Sequence, residues 1–211
     1  MSDPTNKTAI AGAYGASTTD DLTQQYDAWA DTYDGEVAAL GYCLPWLVIA
    51  MFTRHVPQTD QPILDAGCGT GILGESLNTF AYSNIMGIDL SKKMLDHAAA
   101  LGVYNQLSKM TLGETLAIPD NTFNAIISAG VFTQGHAPHS SFDELIRTTK
   151  SGGHIVFSVR ESVYENNGFR EKQQALEDAE KWRLTQATPP CRPFTIGFQD
   201  VMVRIFAYQV I

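Results

Sequence analysis

The stretch that decides the fold runs Ile63-Leu64-Asp65-Ala66-Gly67-Cys68-Gly69-Thr70-Gly71. Its mostly apolar beginning predicts a short buried strand, and the glycines that follow predict a tight loop. A strand that turns directly into a helix leaves free backbone N–H groups at the start of that helix, and small residues allow a ligand to approach them. The stretch therefore predicts a nucleotide-binding loop at the carboxyl end of a strand in a parallel sheet.

The spacing of the glycines and two carboxylates narrows the class of nucleotide. The glycines follow a GxGxG pattern, and Ile72 stands where a dinucleotide-binding GxGxxG loop has its third glycine. Asp65 lies two residues before the first glycine, where its carboxylate would repel a pyrophosphate and attract a cation. Asp89, 18 positions after Gly71, ends the next predicted strand, where an acidic side chain accepts hydrogen bonds from both ribose hydroxyls.

These features fit S-adenosyl-L-methionine, which has a free ribose and a cationic sulfonium. The alternative interpretation is that Asp65 and Asp89 only cap their strands and that the glycines only form a turn. An NAD-dependent oxidoreductase is a further alternative, but its pyrophosphate would have to fit beside Asp65 without a GxGxxG loop.

The residues around the loop alternate between strand and helix patterns. Strands are predicted at 62–66, 84–88, 109–112, 123–129, 154–159 and 201–210. Helices are predicted at 71–78, 91–101, 141–149 and 169–181, and before the loop at 38–52, where Pro45 interrupts the pattern. A first helix carries a stripe of Tyr26, Trp29, Ala30 and Tyr33, with caps at residues 19–21. This alternation predicts parallel βαβ units and a doubly wound α/β sheet.

The composition limits the classes of partner. The chain has 211 residues, which suits one domain, and a net charge of −9 from 14 basic and 23 acidic side chains, which disfavours tight binding to nucleic acid. Apolar runs stay below the ~18 residues of a membrane span. The three cysteines are scattered and form no CxxC pair, which favours reduced thiols and a cytoplasmic location. We expect no nucleic-acid or membrane partner, and a monomer or homodimer.

Residues 26–160 resemble the class I S-adenosylmethionine-dependent methyltransferases. The motifs that carry the resemblance are DAGCGTG at 65–71, GIDLS at 87–91, LAIPDNTFNAI at 116–126 and KSGGH at 150–154, where Ser151 replaces the usual proline. More narrowly, the chain is similar to the methyltransferase-like protein 27 family, through YDxWAxxYD at 26–34, GVYNQLS at 102–108 and TLG at 111–113. The resemblance thins out after Arg160.

The resemblance implies a Rossmann-like seven-stranded sheet with helices on both faces and an N-terminal helical lid. Residues 1–20 are rich in Ser, Thr, Ala and Gly without a period, which predicts a mobile tail. The rest is expected to be a single domain at 21–211, made of a helical cap (21–56), a cofactor-binding half (57–160) and a substrate-side half (161–211). The implied cofactor-binding residues are Tyr26, Tyr33, Asp65, Gly67, Cys68, Gly69, Gly71, Asp89, Leu90, Met94, Leu112, Gly113 and Ala129. Leu112 stands where many relatives have an aspartate that binds adenine, and either Glu114 or the backbone alone would replace it.

Methyl transfer to a small molecule is the implied activity, with a nitrogen, oxygen or sulfur acceptor, and a thiol suits a site with little base machinery. The acceptor should lie near 129–136 and 160–161, after the fourth and fifth strands. The candidate catalytic residues are His136 as base, Arg160 to hold an acidic substrate or the cofactor carboxylate, and Tyr33. His139 is a second candidate base, and the candidate wall residues are Phe132, Phe194 and Phe198.

Two further expectations concern what the chain does not do. His136 and His139 stand alone, without the other ligands of a metal site, so no metal is expected. The fourth strand is not followed by Asn or Asp and then Pro-Pro-Tyr or Pro-Pro-Phe, the pattern of methylation on exocyclic amines. The main functional alternative is a protein that binds S-adenosylmethionine or S-adenosylhomocysteine without turnover.

Overall fold

One seven-stranded sheet lies at the centre of the computed structural model, which describes residues 18–211 together with Gly12, Gly15 and Ala16. The strands are β1 Ile63–Ala66, β2 Ile85–Asp89, β3 Gln106–Lys109, β4 Phe123–Phe132, β5 Thr149–Arg160, β6 Trp182–Ala187 and β7 Val203–Val210. Their order is β3-β2-β1-β4-β5-β7-β6, with β7 antiparallel to both of its neighbours and the other pairs parallel. The prediction of a doubly wound α/β sheet is confirmed.

Helices cover both faces of this sheet. They are α1 Thr19–Trp29, α2 Tyr33–Ala39, α3 Leu44–His55, α4 Ile72–Thr79, α5 Lys92–Ala100, α6 Ser141–Thr148, α7 Glu161–Asn166 and α8 Phe169–Asp178. One face packs on α3 and α4 around Phe52, Leu77 and Val156, and the other packs on α6 and α8 around Phe142 and Phe157. All four residues of β1 are buried, as in a parallel strand covered on both faces, and Asp65 is the one polar residue among them.

The predicted third strand and N-terminal helices need correction. The strand is Gln106–Lys109 rather than 109–112, because Leu107 pairs with Gly87 in β2 and the chain turns away after Lys109. The predicted helix at 38–52 is two helices, separated by a turn at Gly41, whose φ is +62°. Pro45 lies in the first turn of α3, where the missing N–H costs nothing.

The chain ends also differ in part from the sequence prediction. β6 had no predicted counterpart, although it pairs with β7 along its length. At the other end, Thr18 caps α1 by accepting a hydrogen bond from the Asp21 N–H, so the helix begins at Thr19. Most of the predicted tail at 1–20 lies outside the described residues.

Candidate active site

A cavity of ≈ 140 Å³ opens at the carboxyl ends of β1, β2 and β4, above the glycine loop. Nine of the predicted cofactor-binding residues line it: Tyr26, Tyr33, Gly67, Gly69, Asp89, Leu90, Met94, Leu112 and Ala129. β1 and β4 are neighbours in the sheet, and the strand order changes direction between them. Open α/β sheets bind ligands in the crevice at such a topological switch point. The structure thus brings together residues from the lid, the glycine loop and three strand ends.

Asp89 presents a carboxylate whose orientation is fixed by the backbone around it. The N–H groups of Gly69 and Ser91 donate to its two oxygens, Oδ2 and Oδ1, each at 2.9 Å. Burial raises the pKa of Asp89 despite these donors. A carboxylate held in this way at the cavity wall can accept further hydrogen bonds, as a ribose diol requires.

The glycine loop leaves space that a ligand can occupy. Gly69 has a φ of +54°, and a Cβ built on it would meet nothing within 4 Å, so its position faces open space. Gly67 has a φ of +79°, and a Cβ there would come within 2.3 Å of Val131. The first glycine therefore permits close packing with β4, and the second permits a ligand to approach the backbone.

Asp65 lies beneath the loop with 0% of its surface exposed. Its Oδ2 accepts a hydrogen bond from the Tyr104 hydroxyl at 2.7 Å, and the same hydroxyl accepts one from the Gly74 N–H at 3.1 Å. Its Oδ1 has no hydrogen-bond partner among the described residues. Burial raises the pKa of Asp65 to about 7, and the nearby Asp89 adds to the rise. A cationic group nearby would favour the ionised form of this carboxylate and lower its pKa.

The raised pKa of Asp65 predicts a pH-dependent cost to stability. The folded protein holds the proton up to about 7 whereas the unfolded chain releases it near 3.8, so the free energy of unfolding falls as pH rises between these values. Asp65→Asn removes that cost and is expected to stabilise the ligand-free protein by up to about 4 kcal/mol above this range, at about 1.4 kcal/mol per pKa unit. Urea unfolding at about pH 5 and pH 8 measures the difference. The exposed Asp96, changed to Asn, is the control, and a gain independent of pH would contradict the assignment.

Four predicted cofactor-binding residues do not line the cavity: Asp65, Cys68, Gly71 and Gly113. Gly71 allows close packing instead, since a Cβ there would meet Leu101 at 2.6 Å. Gly113 likewise lies against Pro138, because a Cβ at Gly113 would come within 2.6 Å of the Pro138 Cγ. The Cys68 thiol is buried, and burial raises its pKa well above the ordinary value. Glu114, the possible adenine ligand, is exposed and also lies outside the wall.

Two aspartates attach the N-terminal helices to the loops around the cavity. From α1, Asp27 accepts hydrogen bonds from the Ser91 hydroxyl and from the Lys93 N–H at 3.2 Å. From α2, Asp34 accepts one from the Thr70 hydroxyl at 2.6 Å. The predicted lid therefore lies over the cavity. It is held by the glycine loop and by the start of α5, two segments that adjoin the cavity.

A second cavity, of ≈ 60 Å³, adjoins the first. We call it the acceptor pocket, and it is lined by Tyr26, Trp29, Tyr33, Val37, Tyr42, Leu44, Gly130, Phe132, Thr133, Ser158, Arg160, Pro193, Phe194, Val201 and Val203. Tyr26, Tyr33 and Gly130 line both cavities, so these residues form the boundary between them.

Tyr26 and His136 form a hydrogen-bonded pair at this boundary. The His136 Nδ1 lies 2.7 Å from the Gln134 carbonyl oxygen, which can only accept, so Nδ1 carries the proton. The other ring nitrogen, Nε2, then accepts a hydrogen bond from the Tyr26 hydroxyl at 2.8 Å. Burial lowers the pKa of His136, and the charge of Arg160 lowers it further, so the ring is neutral near pH 7.

The remaining predicted residues divide between the acceptor pocket and the core. Arg160, Phe132 and Phe194 line the pocket, whereas Phe198 packs behind Phe194 with ring centroids 5.3 Å apart. His139 lines neither cavity and packs edge-on against a core phenylalanine.

Several wall residues were not predicted from the sequence. They are Thr19, Leu22, Met110, Thr111 and Pro138 at the larger cavity, and Val37, Tyr42 and Ser158 at the acceptor pocket. Tyr104, which holds Asp65, was also not predicted as a site residue. The one available signal was its place in the GVYNQLS segment shared with the resembling family.

The described residues hold neither a membrane-spanning helix nor a metal-binding cluster. Within 18–211 and the three described residues before it, helices are too short or too polar to cross a membrane. The same residues contain no cluster of three histidine, cysteine or acidic side chains arranged to hold a metal ion.

Comparison with known sequences gives matches along most of the chain. A family model described as a methyltransferase domain matches residues 64–157. The chain is 34% identical over 204 residues to methyltransferase-like protein 27 of Homo sapiens, covering 92% of this chain and 81% of that protein. It is 33% identical over 104 residues to a ubiquinone biosynthesis O-methyltransferase of Colwellia psychrerythraea, covering 47% of this chain and 42% of the relative.

Solved structures share the fold at low sequence identity. The cyclase SpnF superposes with a TM-score of 0.72 at 17% identity, covering 92% of this chain and 97% of that one. A TehB-like SAM-dependent methyltransferase from Corynebacterium glutamicum gives 0.64 at 20% identity, covering 89% and 99%. The sequence identity to the human relative, together with the glycine loop and Asp89, shows that the chain belongs to the class I S-adenosylmethionine-dependent methyltransferases and uses S-adenosyl-L-methionine as its cofactor.

Proposed function

We propose that the protein transfers the methyl group of S-adenosylmethionine to a small molecule bound in the acceptor pocket. The observation that carries the proposal is the shared boundary of Tyr26, Tyr33 and Gly130 between the two cavities. A nucleophile in the pocket and a donor in the larger cavity would meet there, as an in-line displacement requires. The size of the pocket, ≈ 60 Å³, favours a small acceptor over a macromolecular side chain.

The larger cavity offers a group for each part of the cofactor. We assign the ribose to Asp89, the adenine to Leu90, Met94 and Leu112, and the methionine part to the glycine loop. Asp65 does not line the cavity, and we assign it an indirect role, in which it holds the Tyr104 hydroxyl and, through it, the Gly74 N–H behind the loop. When bound, the cofactor supplies a methyl group activated by a sulfonium, and its transfer breaks the carbon–sulfur bond and leaves S-adenosylhomocysteine.

Proton removal from the acceptor is proposed to pass through Tyr26 to His136. His136 lines the cofactor cavity but not the acceptor pocket, whereas Tyr26 lines both. The Tyr26 hydroxyl can take a proton from an acceptor hydroxyl while it gives its own proton to Nε2 of His136. A base of this kind matters for an oxygen acceptor and little for a thiol, which ionises readily.

Nitrogen, oxygen and sulfur acceptors remain within the proposal. The name of the Colwellia relative, an O-methyltransferase, supports oxygen. The apolar wall of the acceptor pocket supports a thiol.

We also propose a cytoplasmic monomer or homodimer, in view of the free thiols Cys43, Cys68 and Cys191 and the absence of a membrane-spanning helix in the described part of the chain. The division into cap, cofactor-binding half and substrate-side half is kept as a proposal.

Two measurements test this function. Calorimetry is expected to show binding of S-adenosylmethionine and S-adenosylhomocysteine and no comparable binding of NADH. A panel of small thiols, amines, phenols and carboxylic acids is then expected to contain compounds that release S-adenosylhomocysteine, with the methylated product identified by mass spectrometry. Binding of both cofactor forms with no release across the panel would favour a sensor over an enzyme. Binding of NADH alone would overturn the proposal.

A further inference from the structure

The hydroxyl of Tyr104 joins the two ends of the glycine loop from behind. It donates a hydrogen bond to Asp65 in β1 at 2.7 Å, and it accepts one from the Gly74 N–H in α4 at 3.1 Å. Since β1 leads into the loop and α4 follows it, one oxygen connects the segments on either side of residues 67–71. The loop is therefore fixed at both ends by a side chain that does not line the cofactor cavity.

The same hydroxyl takes the place of a missing helix cap. The side chain of an N-cap residue ordinarily accepts a hydrogen bond from the second or third N–H of its helix, but the N-cap of α4 is Gly71, which has no side chain. Gly74 is the third residue of α4, and its N–H is the one that Tyr104 satisfies. Without the hydroxyl, this N–H and the buried Oδ2 of Asp65 would each lose a partner, which costs free energy.

Glycines surround the Tyr104 ring and leave the space that it fills. A Cβ at Gly74 would come within 2.2 Å of the Tyr104 Cζ, and a Cβ at Gly71 or Gly87 would lie 3.2 or 3.0 Å from its ring carbons. Glycine inside a helix is less favourable than alanine, so Gly74 weakens α4 on its own. The close contact with Tyr104 accounts for this glycine, and the packed ring holds the hydroxyl at one position.

We propose that Tyr104 is a positioning residue for the cofactor, whose hydroxyl holds the glycine loop in the shape that binds the methionine part. The inference rests on the assignment of that part to the loop in the proposed function. A loop that is already ordered loses less conformational entropy when its ligand binds, and this raises the affinity. Because Tyr104 does not line the cavity, it acts through Asp65 and through the start of α4.

The charge of Asp65 gives this role a signature in pH. Among the described residues, the ionisable side chains around Asp65 are Asp89 on β2, Cys68 in the loop and Tyr104, all of them acids. Burial raises the pKa of Asp65 to about 7, while the hydrogen bond from Tyr104 opposes this rise and Asp89 adds to it. A bound ammonium group favours the ionised carboxylate, so cofactor affinity should increase with pH up to the pKa of the ligand-free protein and then level off.

Calorimetric titration of S-adenosylhomocysteine tests the proposal. Tyr104→Phe keeps the ring and is expected to weaken binding about tenfold or more near neutral pH. It should also move the levelling of the affinity to a pH above about 7, because the hydrogen bond that lowers the pKa of Asp65 is lost. Gly74→Ala places a Cβ against the Tyr104 hydroxyl and should give a similar loss with the tyrosine present. The two losses should not add in the double variant, since both act through one contact.

Tyr82→Phe is the matched control. The Tyr82 hydroxyl is buried and donates to the Val56 carbonyl oxygen, and Tyr82 lines neither cavity. This variant should lower Tm and leave both the cofactor affinity and its pH profile native. A Tyr104→Phe protein with a lowered Tm but native affinity and a native pH profile would overturn the proposal, because the hydroxyl would then contribute to stability alone.

The remaining outcomes separate this inference from the proposed function. If Tyr104→Phe does not fold, Gly74→Ala decides: a loss of affinity supports the inference, and native affinity overturns it. Binding of S-adenosylhomocysteine needs no acceptor, so a panel without methyl transfer would count against the proposed function while a loss of affinity in Tyr104→Phe would still support this inference. No binding of S-adenosylhomocysteine to the native protein would overturn both.

Discussion

Replacing Asp89 with alanine is expected to weaken the binding of S-adenosylmethionine by about 10²–10⁴-fold. The carboxylate lines the cofactor cavity, and its orientation is fixed by the N–H groups of Gly69 and Ser91. Two charge-assisted hydrogen bonds to the ribose would be lost, each worth about 1.5–3 kcal/mol, and every 1.4 kcal/mol is about tenfold in affinity. Calorimetric titration of both cofactor forms measures the loss.

The control for Asp89 is an aspartate outside the cavity. Asp96 is exposed on α5 and forms an ion pair with Lys92, so Asp96→Ala should leave the cofactor affinity unchanged. Asp89→Asn, which keeps one acceptor oxygen, should give an intermediate loss. Native affinity in Asp89→Ala would refute the ribose assignment.

The pair of Tyr26 and His136 is expected to account for the next largest effect. With a hydroxyl acceptor, Tyr26→Phe and His136→Gln should each lower kcat by about 10²–10⁴-fold, the usual contribution of a general base. Tyr26→Phe removes only the hydroxyl and keeps the ring stacked on Trp29, at 6.0 Å between centroids. Steady-state kinetics should show the loss in kcat with little change in KM for the cofactor.

The pH profile distinguishes this role from a structural one. Since burial lowers the pKa of His136 from its ordinary 6.5, kcat/KM should fall only as pH drops below that value. His55→Gln is the control, because His55 hydrogen-bonds Gln186 at 2.8 Å, away from both cavities. Undiminished turnover of a hydroxyl acceptor by Tyr26→Phe would show that the proton does not pass through this pair.

Local patterns were enough to predict the glycine loop and the end of β2. A buried strand, a GxGxG loop and an acid at the next strand end are close in sequence, and the parallel pairing of β1 with β2 places them together. The stripe of Tyr26 and Tyr33 likewise indicated a lid, but the single helix predicted for it is wrong, since α1 ends at Trp29 and α2 begins at Tyr33. For the loop and the end of β2, sequence distance and spatial distance are related by the geometry of neighbouring elements.

Contacts between distant segments could not be predicted in the same way. Gly71 looked like a ligand-binding glycine, but Leu101 and Tyr104, thirty or more positions later, occupy the space beside it. The cavity wall at Met110 and Thr111 depends on where β3 ends, and that is set by pairing with β2 rather than by propensity. The pairing of Tyr26 with His136 joins residues 110 positions apart.

The attachment of the lid has a consequence for the order of events in turnover. Asp27 and Asp34 attach α1 and α2 to Ser91 and Thr70, beside residues that line the cofactor cavity, so opening the lid to the cofactor would break these hydrogen bonds. Because α1 and α2 also supply Tyr26, Tyr33 and Val37 to the acceptor pocket, the pocket is complete only while the lid is closed. We therefore expect an ordered sequence, in which the cofactor binds first, the acceptor second, and S-adenosylhomocysteine departs last.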